Sequence, residues 1–223
     1  MIKIKICGIK SLYDALSAVE AGSDYLGFNF FPKSVRFIEI QKFIKIGNVV
    51  KKTHPAIKIV GVFVNSSSNE INTLFETGII DLAQLHGDES PEFCKTFNGK
   101  VFKAFCGVPK TEPAEYVRNE APAFLIDAAI SGSYGGTGTP ADWPAAARLA
   151  NHYPLFLAGG LKPENVGGAI QQVNPWGVDV ASGVESCPGK KDAKKMNAFI
   201  QAVRSMDDKA GHRQISKSSP EKS

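Results

Sequence analysis

Met1-Ile2-Lys3-Ile4-Lys5-Ile6-Cys7-Gly8-Ile9-Lys10 opens the chain. Lys3 and Lys5 alternate with Ile2, Ile4 and Ile6, and a period of two is the mark of a β-strand. The strand ends on the thiol of Cys7, and Gly8 lets the backbone leave at angles that other residues resist. In barrels and open sheets of parallel strands, that carboxyl edge is where chemistry is done. A free cysteine is more often a small buried hydrophobe, so the thiol alone decides nothing.

Working outward, short β-rich runs recur along the chain. They are Ile2–Cys7, Tyr25–Phe30, Ile57–Val64, Asp81–His86, Lys100–Cys106, Ala123–Asp127, Leu155–Ala158 and Gly177–Ser182. Helix signals fill the gaps. Ser11 caps a run with Leu12, Ala15, Leu16 and Val19 on one face and Gly22 as its stop. Ser68 opens a second run that ends at Gly78, and Ser90-Pro91-Glu92 is a cap with proline in the first turn. Pro163 plays the same part before Val166, Ala169, Ile170 and Val173, and Asp192 caps a last run carrying Met196, Phe199, Ile200 and Val203.

Strict alternation of short strands and helices makes a parallel sheet with right-handed crossovers. Eight compact units within residues 1–206 predict a single α/β domain, a (β/α)8 barrel. No Gly-x-Gly-x-x-Gly follows the first strand, which counts against a dinucleotide-binding fold. From Asp207 to Ser223 the one large aliphatic residue is Ile215, so 207–223 is expected to be a disordered tail.

Composition narrows the function. A chain of 223 residues, 43% hydrophobic, can bury a full core. A net charge of +4 is only mildly basic, and the Lys and Arg residues lack aromatic interleaving. Nucleic acid is therefore not expected, and an anionic small molecule is the better partner. Cys7, Cys94, Cys106 and Cys187 show no Cys-x-x-Cys spacing and no signal peptide precedes them, which predicts reduced thiols in the cytoplasm. His54, His86, His152 and His212 have no metal-ligand spacing, so no metal is expected. No apolar run is long enough to span a bilayer.

With the strands placed, the residues at their carboxyl ends can be named. Cys7 ends the first and Asp127 the sixth, while Arg36 lies in the long loop after the second. His86 closes the fourth, and Asp179 sits late in the eighth. A strand reading Phe124-Leu125-Ile126 that ends on a carboxylate needs a reason, because an unpaired buried charge is costly. Either Asp127 caps the following loop, or it faces Cys7 across the pocket as acid to the thiol's base. Arg36 suits bidentate carboxylate recognition unless it is a plain surface arginine. His86 either orients a substrate or bonds backbone. Leu157-Ala-Gly159-Gly160-Leu161 and Ala181-Ser182-Gly183-Val184-Glu185 follow strands seven and eight. Glycines there either merely make tight turns or bring N–H groups close to an anion, and barrels often hold phosphate at this place. Ser131-Gly-Ser-Tyr-Gly-Gly-Thr-Gly138 is a glycine-rich loop that either covers a substrate or simply moves.

Together these segments resemble the phosphoribosylanthranilate isomerase family, from Ile4 to about Ile200. The resemblance rests on Lys5-Ile-Cys-Gly-Ile9, Leu26-Gly-Phe28 with Ser34-Val-Arg36, Val60-Gly-Val-Phe-Val-Asn65 and Gln84-Leu-His-Gly-Asp-Glu89. It continues through Ile126-Asp127, Gly135-Gly-Thr-Gly138, Asp142-Trp143, Leu157-Ala-Gly-Gly-Leu161 and Pro163-Glu-Asn-Val166. Val178-Asp-Val-Ala-Ser-Gly-Val-Glu-Ser186 and Pro188-Gly-Lys-Lys-Asp192 complete it. It implies a cofactor-free Amadori rearrangement in tryptophan biosynthesis, on a phosphorylated small-molecule substrate; the chain is expected to be a monomer. It also implies Cys7 as general base, Asp127 as general acid, Arg36 on the anthranilate carboxylate, and Gly160, Ser182 and Gly183 at the phosphate; His86 and Asp179 are expected to contact substrate. Val35 stands where the family commonly has proline, and Ala141 where it commonly has phenylalanine.

Two related barrels are weighed against this. The histidine-pathway isomerase would carry Asp in place of Cys7, and indole-glycerol-phosphate synthase would carry a Lys–Glu pair on its central strands. A barrel without activity, serving only to bind, would have little need to keep Cys7, Asp127 and both glycine turns.

Overall fold

The computed structural model describes residues 1–109, 113–118, 120–127 and 142–217, with side chains described as far as Asp207. Eight parallel strands close on themselves: β1 Lys3–Cys7, β2 Tyr25–Asn29, β3 Lys58–Phe63, β4 Leu82–Leu85, β5 Val101–Cys106, β6 Phe124–Asp127, β7 Phe156–Leu157 and β8 Gly177–Val180. The ring is sealed where β1 pairs with β8, Lys5 opposite Asp179 and Ile6 opposite Val180. Each strand lies within two residues of its expected place. Seven α-helices among the described residues pack outside: α1 Leu12–Glu20, α2 Ile40–Thr53, α3 Ser68–Glu76, α4 Pro91–Lys95, α5 Trp143–Ala150, α6 Val166–Val173 and α7 Ala193–Lys217.

Alternation along the strands sorts side chains into two cores. One set, including Ile4, Ile6, Leu26, Phe28, Phe124 and Ile126, packs outward against the helices with Phe43, Val166 and Phe199. The other, Tyr25, Val60, Phe102, Ala104, Leu125, Phe156 and Ala158, fills the barrel's interior. There Tyr25 meets Phe156 edge-on at 5.4 Å and Phe156 meets Trp176 at 5.0 Å. This aromatic floor fills the barrel below the cleft at the strands' carboxyl ends.

The structure corrects several expectations. The turn after β5 carries a single 3-10 turn, Ala114–Tyr116, and no α-helix among the described residues, so the fifth unit departs from strict alternation. Pro109 and Pro113 bracket the segment, and proline lacks the N–H that an α-helix interior needs. The cap of α3 is Ser67 rather than Ser68: its hydroxyl accepts from the Glu70 N–H, and the Glu70 carboxylate accepts from the Ser67 N–H. Pro163 lies in the turn before α6, not in its first turn. Asn165 makes that turn, accepting from the Lys162 N–H at 2.8 Å and donating to the Gly160 carbonyl at 2.9 Å. The helix α2 was not signalled by any cap, and Glu39 before it makes no side-chain capping bond.

At the chain's end, α7 runs past the boundary drawn at residue 206 and continues to Lys217. Its crossing of that boundary is anchored: Asp207 accepts from the Ile2 N–H at 2.8 Å and from Arg204 at 3.4 Å. Only residues 218–223 of the expected tail lie outside the described structure. The glycine-rich loop Ser131–Gly138 and Ala141 also lie outside it. No helix among the described residues is long and apolar enough to cross a membrane.

Candidate active site

Cys7, Asn29, Ser34, Arg36, Gln84, His86, Asp127, Gly160, Asp179 and Ser182 line one cleft at the carboxyl ends of the strands. Every residue singled out from the sequence is among them except Gly183. That glycine sits just behind the wall, where a Cβ would come within 1.9 Å of the Leu161 carbonyl oxygen. A side chain at 183 would therefore push the turn after β8 away from the turn after β7.

These two turns meet at one end of the cleft. Gly159 and Gly160 take consecutive left-handed conformations, φ 92° and 65°, which folds the chain tightly over the mouth of β7. Ser182 begins a 3-10 turn, Ser182–Val184, directly after β8. Among the described residues, no hydrogen bond takes up the N–H groups of Gly160, Ser182 or Gly183. Backbone donors left without acceptors at such turns suit an anion.

Cys7 lies at the end of β1, and the same strand supplies Lys5. Alternation suggested a strand with a polar face; that face turns out to point into the barrel, where Lys5 is wholly buried. Its ammonium donates to Asp179 Oδ1 at 2.9 Å. Burial alone would lower the pKa of Lys5, but the Asp179 carboxylate and the Cys7 sulfur outweigh it and raise it above the usual lysine value. For Cys7, burial pushes the thiol up, Lys5 pulls it down and Asp179 pushes it up again. Burial prevails. Gly27 on β2 makes room for this pair, since a Cβ there would lie 2.8 Å from Cys7 Sγ and 3.1 Å from Lys5 Nζ.

Asp127 ends β6, and its Oδ2 lies 3.9 Å from His86 Nε2. His86 is itself in contact with Gln84 at 3.4 Å and with the Cys106 sulfur at 3.7 Å. Burial, with help from the positive charges of Lys103 and Lys5, lowers the His86 pKa to about 4. At neutral pH the imidazole is therefore uncharged and serves as a hydrogen-bonding wall rather than a counter-ion.

Arg36 reaches the cleft from the loop after β2. Gly8 leaves β1 at φ 81° and lets the arginine stem pass, because a Cβ on Gly8 would be 2.5 Å from Arg36 Cδ. The guanidinium binds Glu185 through two parallel bonds of 2.8 Å, from Nε and Nη2, so that edge is occupied. Burial would raise Glu185, yet Arg36 and Lys191, whose Nζ donates at 2.8 Å, hold it below the usual carboxylate range. Val35, in the place where proline is common, is 57% exposed, and its carbonyl accepts from Lys10. The loop is further tied by Ser34, whose hydroxyl accepts from the Arg36 N–H and from Asn29.

Sequence reading missed Lys5, Glu185, Lys191 and Gln84 as members of the site. For Lys5 and Gln84 a signal was present: each lies two residues before a named site residue on the same strand, and so shares its face. Glu185 and Lys191 come together only through the short ribbon Glu185–Cys187 with Lys190–Lys191, which nothing in the sequence announces. Among the described residues, no three His, Cys, Asp or Glu side chains cluster as metal ligands.

Comparison with known proteins shows the family. Residues 4–202 match the family model for N-(5'-phosphoribosyl)anthranilate (PRA) isomerase. The chain belongs to that isomerase family. It is 43% identical to the N-(5'-phosphoribosyl)anthranilate isomerase of Magnetococcus marinus, over 94% of this chain and 99% of that one. It is equally similar, 43% over 92% and 100%, to that of Geobacter metallireducens. Among solved structures, the phosphoribosyl anthranilate isomerase of Thermus thermophilus superimposes with a TM-score of 0.80 at 35% identity, covering 92% and 100% of the two chains. A further family structure, at TM-score 0.75 and 35% identity with the same coverage, holds reduced 1-(o-carboxyphenylamino)-1-deoxyribulose 5-phosphate. PRA isomerases are (β/α)8 enzymes of tryptophan biosynthesis, and the closed eight-stranded barrel of this chain is that fold.

Proposed function

We propose that this chain isomerises N-(5-phosphoribosyl)anthranilate to 1-(2-carboxyphenylamino)-1-deoxyribulose 5-phosphate with Asp127 as general acid and Cys7 as general base. Asp127, protonated, gives its proton to the furanose ring oxygen, and the C1′–O bond breaks to leave an iminium. The iminium acidifies C2′–H, and the Cys7 thiolate takes that proton. The resulting enolamine tautomerises to the ketone. No electrons leave the substrate, and the iminium itself is the electron sink, so the chemistry calls for no cofactor.

The observation that carries this reading is that Cys7 on β1 and Asp127 on β6 line one cleft together with Gly160 and Ser182. The N–H groups of Gly160, Ser182 and Gly183 suit the substrate phosphate. Arg36 offers its remaining Nη1 edge to the anthranilate carboxylate, with Glu185 fixing the plane of the fork. Asp179 and His86 border the ribose between these ends. The chain is read as acting as a monomer, although one solved relative is described as dimeric. Four free cysteines, Cys7, Cys94, Cys106 and Cys187, suit the reducing cytoplasm.

Steady-state kinetics on Asp127→Asn and Cys7→Ala test the roles. General acid–base groups contribute about 10² to 10⁴ in rate, so each variant is expected to lose at least about 10² in kcat with KM changed far less. A reduced open-chain product analogue should bind both variants within a few-fold of the unchanged chain. Turnover of Asp127→Asn within tenfold of normal would make Asp127 a loop cap and pass the acid's role to another group, with His86 the first to examine.

A further inference from the structure

A cysteine base must lose its proton before it can work, and burial opposes that loss at Cys7. The groups beside the thiol show what offsets burial. On its own strand stands Lys5; Asp179 faces it from β8, Lys191 from the ribbon after β8, and Arg36 from the loop after β2. His86 and Asp127 border the same cleft from β4 and β6. Arg36 and Lys191 are both committed to Glu185. Lys5 is bound to Asp179 by one bond, and its ammonium has further protons to donate. With Asp127 protonated as the acid, three cations (Lys5, Arg36, Lys191) are set against two carboxylates (Asp179, Glu185) around Cys7, and a thiolate brings this group to balance. One point above Gly27 lies 2.8 Å from Cys7 Sγ and 3.1 Å from Lys5 Nζ, so the thiol and the ammonium flank the same small space.

We propose that Lys5 is a positioning residue for the reaction: its ammonium, anchored by Asp179, stabilises the thiolate of Cys7 and orients Sγ for proton abstraction. This rests on the reading of Cys7 as base. Asp179 then has two opposed effects. It holds the ammonium in place, and its own negative charge partly cancels the help that Lys5 gives.

The opposition makes a signed test. In the full-length chain, the pH dependence of iodoacetamide alkylation of Cys7 is followed by peptide mass spectrometry, beside the pH profile of kcat/KM. Asp179→Asn keeps the cation and an acceptor for it but removes the opposing charge. The pair deletion Lys5→Met/Asp179→Asn removes the cation and leaves no unpaired carboxylate to disturb folding. The Cys7 midpoint is expected to fall in Asp179→Asn and to rise by at least about one pH unit in the pair deletion. At pH 7 the latter slows alkylation about tenfold, because one pH unit is tenfold in thiolate fraction. The rising limb of kcat/KM should move with it, with activity recovering at higher pH. A midpoint unchanged in both variants, or shifted the same way in both, overturns the role of Lys5. Should the Cys7 midpoint move as expected while the kcat/KM profile stays fixed, Lys5 does act on the thiol and it is the assignment of Cys7 as base that fails.

Discussion

His86 shows how much a single side chain's surroundings decide. A histidine at a strand end reads equally well as substrate ligand or backbone partner, because its sequence neighbours do not reveal its charge state. In the barrel it is buried beside the ammonium groups of Lys103 and Lys5, and its pKa falls to about 4. An unfolded histidine titrates near 6.5, so between those values the unfolded chain binds the extra proton and the folded chain does not. Stability from this residue is therefore complete above about pH 6.5 and lost as the pH falls toward 4. At pH 5 the loss amounts to about 2 kcal/mol relative to pH 7.5. Urea unfolding at the two values should show that loss, and His86→Gln should shrink it by about the same amount. An equal pH dependence in the variant would show that His86 takes up its proton as readily in the folded chain as in the unfolded one. Lys5 is the opposite case. Its charge state was never in question, but its direction was, and only closure of the barrel turned the polar face of β1 inward.

Among the elements, legibility followed the physics of each signal. All eight strands were visible because each carries a run of β-formers bounded by helix caps or glycine, and burial on both faces leaves little ambiguity. Ser11, Ser90 and Asp192 were read as caps, and all three accept the expected N–H bonds. The helix α2 was illegible for the converse reason: it begins after Glu39 without a side-chain cap. The fifth turn was over-read, because alternation elsewhere implied a helix that its two prolines do not support. For α3 the adjacent serines Ser67 and Ser68 differ only in which one reaches Glu70, and a shift of one residue is beyond sequence patterning. The structure makes a clear distinction there. Ser67→Ala removes the hydroxyl's part of the reciprocal cap, its bonds with the Glu70 N–H and carboxylate, and should cost about 1 kcal/mol, whereas Ser68→Ala should stay within about 0.5 kcal/mol. Thermal melts of the two variants check it: a drop of about 2–4 °C is expected for Ser67→Ala alone. Equal melting temperatures would restore Ser68 as the cap.

At the scale of the whole molecule, the barrel divides its labour between two ends. Chemistry gathers where the strands finish, and the aromatic floor of Tyr25, Phe102 and Phe156 isolates that end from the other. The far end must hold the ring closed, for β1 is paired on one side to β2 and on the other to β8, which arrives last in the chain. Arg204, on α7, is the residue that ties this closure. Its guanidinium donates to the Ile2 carbonyl at 2.7 Å, to the Gly22 carbonyl at 3.0 Å and to Asp24 Oδ2 at 3.0 Å, joining the last helix to the start of β1 and to the turn before β2. Hydrogen bonds from a charged donor contribute more than neutral ones, but Arg204 is partly open to water, which reduces their worth. Arg204→Met keeps the aliphatic stem and removes these bonds. It should lower stability by about 2 kcal/mol, or about 4–8 °C in Tm for a chain of this size. Because conserved contacts at the bottom of such a barrel serve stability and those at the top serve catalysis, kcat/KM measured well below the melting temperature should remain within twofold. A large fall in kcat/KM with an unchanged Tm would mean that the closure seam transmits to the active site through β1, from Ile2 to Cys7, and that the two ends are coupled.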